Sequence, residues 1–136
     1  MKTLRPLFNL IMLLGFISLF SCGKDEYLKS EAGIKKQLKG TWDLIPIPRS
    51  NPAQNWAFSD DKLSRTESLI SYVGDFSVNT SLTSVKIKLE HFTVISGQPD
   101  YNGNWDLVRL DNDFLVIATD KDGTTGLYEL EFQKKK

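Results

Sequence analysis

One cysteine and one histidine are all that this 136-residue chain holds of either. A lone Cys cannot form an intrachain disulfide, and one Cys with one His cannot build a zinc site of the Cys/His type. An excess of one charge is missing as well, since 17 Lys and Arg balance 17 Asp and Glu. Without a net field to hold a polyanion, composition gives no reason to expect nucleic-acid binding. No phosphate loop, nucleophile elbow or zinc signature occurs. What remains, 40% hydrophobic and 11% aromatic residues, is ordinary for one globular domain.

Long apolar runs are also scarce, and the main one lies at the start. Lys2 and Arg5 precede the stretch Leu7 to Phe20, interrupted only by Asn9, Gly15 and Ser18. It falls short of the roughly 18–20 residues that a bilayer-spanning helix needs, and it fits a secretory signal peptide. The run ends in Leu19-Phe20-Ser21-Cys22. This resembles the lipobox of bacterial lipoproteins: Leu three before the cysteine, a small residue directly before it, then the single Cys. The resemblance implies that residues 1–21 are cleaved off and that Cys22 carries the acyl chains. It also explains an unpaired cysteine in an exported chain. Two or more chains, at about 0.8 kcal/mol per buried CH₂, hold a protein on a membrane without a spanning helix.

Gly23-Lys24-Asp25-Glu26 follows at once. Lys24, Asp25 and Glu26 resemble the export signal of surface-exposed Bacteroidetes lipoproteins, which implies an outer-membrane anchor with the domain facing the cell exterior. As plain chemistry the same residues make a charged, solvated linker. Loss of Lys2 and Arg5 with the signal peptide leaves the rest of the chain mildly acidic, so the acyl chains and not anionic lipid provide the attachment. Residues 22–33 are then the acylated Cys and its tether, and 34–136 form one domain, large enough for a core without staples.

Ser30 is placed to cap a helix running to about Lys39. Ile34 and Leu38 share one face, Lys35, Lys36 and Lys39 sit toward the C-terminal end, and Gly40 follows as a stop. From Thr41 the period changes to two. Trp42 and Leu44 share a face, and so do Trp56 with Phe58, and Tyr72, Gly74, Phe76 with Val78. Asp60-Asp61 reads as a turn, with Leu63 to Ser68 returning after it. Val85, Ile87 and Leu89 alternate with Lys86, Lys88 and Glu90, and Phe92 to Ser96 is expected as a further short strand. Trp105 to Leu110, Phe114 to Thr119 and Leu127 to Phe132 follow, separated by Asp-rich turns; Tyr128, Leu130 and Phe132 share a face. About eight short strands joined by tight polar turns describe an all-β, up-and-down antiparallel meander. Closing it into a barrel buries one face and removes exposed edges; a sandwich is the competing arrangement.

A short helix followed by Gly40-Thr41-Trp42 at the opening of the first strand resembles the Gly-x-Trp motif of lipocalins and their bacterial lipocalin-like relatives. Tyr101-Asn102-Gly103-Asn104-Trp105 and the terminal hairpins are similar to the end of small lipocalin-like lipoprotein domains. The resemblance spans 34–136. It implies that Trp42 plugs the closed end of an eight-stranded barrel beside the helix, and that the other end can admit a small apolar molecule. Arg109 is the one candidate for a late arginine stacked on that Trp.

Trp56, Phe58, Tyr72, Phe76, Tyr128 and Phe132 are the candidate ligand-lining residues, since binding cavities are mostly apolar with few polar groups. In a small barrel the same side chains can simply fill the interior. His91 has no catalytic partner in sequence, because Glu90 beside it points to the opposite face. Asp120-x-Asp122-Gly123 echoes a calcium loop, yet Thr125 stands where that loop needs Gly, and a hairpin turn explains the residues equally. The chain is therefore expected to be a non-enzymatic lipoprotein without cofactor or metal. It would bind a small apolar or amphipathic molecule. Alternatively, as a solid accessory barrel, it would contact another envelope protein through Ser50 to Gln54 and Ser96 to Tyr101.

Overall fold

The computed structural model describes residues 30–46, 53–120 and 128–136. Helix α1 (Glu31–Leu38) is followed by eight strands: β1 (Gly40–Leu44), β2 (Gln54–Ser59), β3 (Lys62–Glu67), β4 (Ile70–Thr80), β5 (Val85–Glu90), β6 (Gly103–Leu110), β7 (Phe114–Thr119) and β8 (Tyr128–Lys134). Each pairs antiparallel with its neighbour in sequence, and β8 returns to β1, closing the barrel. This is the expected up-and-down meander, and the sandwich is excluded. Closure is complete within the residues after Ser30.

The helix begins where Ser30 Oγ accepts the backbone N–H of Gly33 at 3.1 Å. It lays Ile34 and Leu38, both fully buried, on the core. Two ion pairs, Lys35 to Asp61 and Lys39 to Asp60 at 3.3 Å, tie its outer face to the β2–β3 turn. At such exposure they orient the helix more than they stabilise it.

Inward positions follow the period of two. Trp42, Trp56, Leu63, Ile87, Leu89, Leu115, Ile117 and Phe132 have no exposed surface. Trp56 packs against Phe132 at 4.9 Å and edge-on to Tyr101 at 5.3 Å; Phe58 meets Phe76 edge-on at 5.1 Å. Such pairs add about 0.5–1.5 kcal/mol each beyond the area they bury.

Phe92 to Ser96 forms no strand, contrary to expectation. The chain leaves β5 through His91 at φ +63° and crosses irregularly to β6. Asn102 takes over the role of a strand partner: its Oδ1 accepts the N–H of Phe92 at 2.8 Å, and its Nδ2 donates to the carbonyl of Phe92 at 2.9 Å. A side chain that satisfies both backbone groups removes the need for a ladder there.

The sequence holds one local design twice. Gly40-Thr41-Trp42-Asp43-Leu44 opens β1, and Gly103-Asn104-Trp105-Asp106-Leu107 opens β6. Both glycines have φ +123°. Trp42 Nε1 donates to the carbonyl of Leu38 at 2.7 Å, and Trp105 Nε1 to that of Tyr101 at 2.9 Å, each four residues upstream. Since β1 and β6 run in opposite directions in the meander, the two tryptophans stand at opposite ends of the barrel.

Candidate functional site

Two ends are distinguished by what covers them. At the first, α1 lies over Trp42. Lys134, on the last turn of inward-facing positions in β8, sets its Nζ 4.7 Å over the Trp42 ring and donates to the carbonyl of Gln37 at 3.2 Å. Arg109 does not reach this tryptophan. It stacks on Phe114 at 4.7 Å and pairs with Asp111 at 2.7 Å, on the outside of the β6–β7 turn. The cation on the plug is thus a lysine, from a strand two further on.

The other end, the mouth, carries a cavity of about 330 Å³. Its walls come from the end of β1 (Leu44, Ile45, Pro46), the start of β2 (Gln54), the end of β3 (Glu67), the β5–β6 crossing (Gly97, Gln98, Pro99, Tyr101) and the start of β8 (Tyr128, Glu129, Leu130). Apolar and polar side chains share these walls, and the volume is at the lower limit of those that hold small molecules.

Beneath the mouth lies Arg65, which is 2% exposed. It shares the inward parity of Leu63 on β3. Its guanidinium is held between two rings, 4.6 Å from Tyr101 and 4.9 Å from Tyr72. Nη2 donates to Gln98 Oε1 at 3.1 Å, while Nε and Nη1, both buried, have no acceptor among the described residues. No carboxylate among the described residues pairs with it. A buried guanidinium without a counterion costs several kcal/mol, and two desolvated cation–π contacts, at about 2 kcal/mol or more each, offset part of that.

Gln98 continues the chain of bonds. Its Nε2 donates to Glu67 Oε2 at 3.1 Å; the same oxygen accepts from Gln54 Nε2 at 3.3 Å, and Gln54 Oε1 accepts from Trp56 Nε1 at 3.4 Å. A cation and an anion therefore stand on either side of a single carboxamide: Glu67 and Gln98 line the cavity, and Arg65 lies buried behind Gln98.

The six aromatic candidates divide accordingly. Trp56, Phe58, Phe76 and Phe132 are packed into the filled interior, each at most 3% exposed. Tyr72 is half-buried against Arg65, and Tyr128, 37% exposed, lines the mouth. Gly40 and Trp42 sit at the helix-covered end. Cys22, Lys24, Asp25 and Glu26 lie outside the described residues, as do Ser50 to Pro52 of the first contact loop and the calcium-like residues Asp122 and Gly123.

Gln98 belongs to the expected contact segment Ser96 to Tyr101, which the structure places in the cavity wall, whereas Arg65 and Glu67 were not among the expected site residues. The signal for Arg65 was present: a charged residue on the same parity as Leu63. Glu67 continues that parity, whereas nothing in the pattern singles out Gln98 within its segment. His91 pairs with Asp75 at 2.7 Å on the exterior, away from the mouth network. Among the described residues no group of three His, Cys, Asp or Glu is placed to hold a metal ion.

No family model, curated protein or solved structure matches the chain. The closed eight-stranded barrel with a helix over one end is compatible with a lipocalin-like fold, and this rests on the geometry itself.

Proposed function

We propose that the protein is an outer-membrane lipoprotein, anchored through acylated Cys22 and facing the cell exterior, whose lipocalin-like barrel holds a small amphipathic molecule at its mouth without catalysis. The observation that carries the binding role is the 330 Å³ cavity, whose apolar wall comes from Leu44, Ile45, Pro46 and Leu130 and whose polar groups are Gln54, Glu67, Gln98 and Glu129. The sequence Leu19-Phe20-Ser21-Cys22 supports the anchor, and Lys24-Asp25-Glu26 supports exposure at the surface.

Binding is tested with the neutral fluorophore N-phenyl-1-naphthylamine on the chain from Gly23 onward. A saturable rise in emission, weakened by Pro46→Trp in the cavity wall, is expected; a linear, unsaturated response removes the binding role. The anchor is tested by palmitate incorporation, which Cys22→Ala should abolish. Surface exposure is tested by protease shaving of whole cells, from which replacing Lys24, Asp25 and Glu26 by Ala should protect the domain.

A filled interior favours a second reading, an accessory barrel that contacts another envelope protein. Leu69 at the β3–β4 tip is 99% exposed and Ile70 beside it 58%, at the same end as the mouth. Crosslinking from position 69 to a single protein in whole cells would support it.

A further inference from the structure

The Arg65–Gln98–Glu67 arrangement names the chemistry that the mouth selects. This step rests on the reading of the mouth as a binding site. We propose that Gln98 is an internal stand-in for the ligand, and that the ligand's head is a small zwitterion of the α-amino acid type, its carboxylate taken by Arg65 and its ammonium by Glu67.

The carboxamide of Gln98 offers an acceptor to Arg65 and a donor to Glu67, each at 3.1 Å. An α-amino acid carries the same acceptor and donor on one carbon, close to the spacing of the amide O and N. Each of its bonds would be charge-assisted, and such bonds are roughly twice as strong as neutral ones. It would also give the guanidinium the counterion that the described residues do not supply. Single charges fit worse. A simple carboxylate on Arg65 would stand one amide's width from the Glu67 carboxylate, and a simple amine on Glu67 would face Arg65. A neutral amide gains nothing over the one already there.

Displacement is feasible because Gln98 sits on the irregular β5–β6 crossing, directly after Gly97 at φ +81° with open space where a Cβ would be. Arg65, by contrast, is fixed by Tyr72 and Tyr101. With Gln98 turned aside, the ligand's own side chain would lie on Leu44, Pro46 and Leu130.

The test is calorimetric titration of the chain from Gly23 onward, which contains all strands of the closed barrel. The probes are phenylalanine and leucine, with 3-phenylpropionate and 2-phenylethylamine as analogues bearing one charge each. At least one amino acid should bind tenfold or more tightly than both analogues. Gln98→Ala should raise its affinity several-fold, because nothing then has to be displaced. Glu67→Gln should lower it tenfold or more while improving 3-phenylpropionate. An analogue that binds as tightly as the amino acids, an unchanged affinity in Gln98→Ala, or no amino-acid binding to either protein would overturn the proposal. If N-phenyl-1-naphthylamine still binds saturably in that last case, the mouth remains a binding site and only the zwitterion is lost; if it does not, both readings fall.

Discussion

Trp42 and Trp105 hold equivalent places at opposite ends of the barrel, each preceded by a glycine at φ +123° and each donating its indole N–H to the carbonyl four residues upstream. Trp42 is fully buried and Trp105 1% exposed, so neither carbonyl, Leu38 or Tyr101, has water to replace the bond. Trp42→Phe and Trp105→Phe should each cost about 1–3 kcal/mol, the range for orphaning a buried polar group. Gly40→Ala and Gly103→Ala should cost about 1–3 kcal/mol from backbone strain at a φ that side chains rarely adopt. Urea denaturation measures all four, and a loss confined to the Trp42 pair would contradict the equivalence.

Gly74 lies on the inward parity of β4, where the sequence pattern would admit any small apolar residue. Its neighbours do not. A Cβ there would meet Phe92 Cε2 at 2.5 Å and the carbonyl oxygen of Glu90 at 2.7 Å. Phe92 is buried and the other atom is backbone, so Gly74→Ala should destabilise by about 1–3 kcal/mol, as overpacking does. Thermal unfolding of Gly74→Ala beside Gly97→Ala separates crowding from backbone effects, since only Gly74 lacks room.

Lys134 links the end of β8 to the helix. Lys134→Met keeps the alkyl stem over Trp42 but removes the charge and the bond to Gln37. Expected is a loss of about 0.5–2 kcal/mol. Amide exchange should accelerate in α1 more than in β3 or β4; equal acceleration everywhere would show that the lysine does not hold the helix.

Asp75 gives the fold a pH dependence. The hydrogen bond from Lys62 and then that from His91 hold its carboxyl below its ordinary value. A carboxylate with a lowered folded pKa adds stability that is fully present above the unfolded value, about 3.9, and is lost as pH falls through the folded value. Wild type should therefore exceed Asp75→Asn in stability at pH 7, and the gap should close in strong acid. His91→Ala should raise the Asp75 pKa, read by carboxyl NMR titration. A gap that persists below the folded pKa would place the effect elsewhere.

Much of the barrel was legible because the period of two is strong wherever one face is buried, as in Val85 to Glu90 and Tyr128 to Phe132. Phe92 to Ser96 misled for a physical reason. Its apolar content reads as strand, but Asn102 satisfies the Phe92 backbone with a side chain, which no local pattern announces. Lys134 opens the terminal Lys134-Lys135-Lys136 run, yet its parity with Phe132 points it inward. The mouth network was the least legible. Arg65 and Gln98 are 33 residues apart and meet only because the β5–β6 crossing folds back over β3.

The most direct measurement of the central claim is native mass spectrometry of the chain starting at Lys24, after incubation with an envelope extract and washing. Without Cys22 no adduct can belong to the anchor. A discrete small-molecule adduct on wild type, absent from Pro46→Trp, is the expected result. A bare protein mass beside a stoichiometric complex with another protein would contradict ligand binding and make the barrel an assembly component.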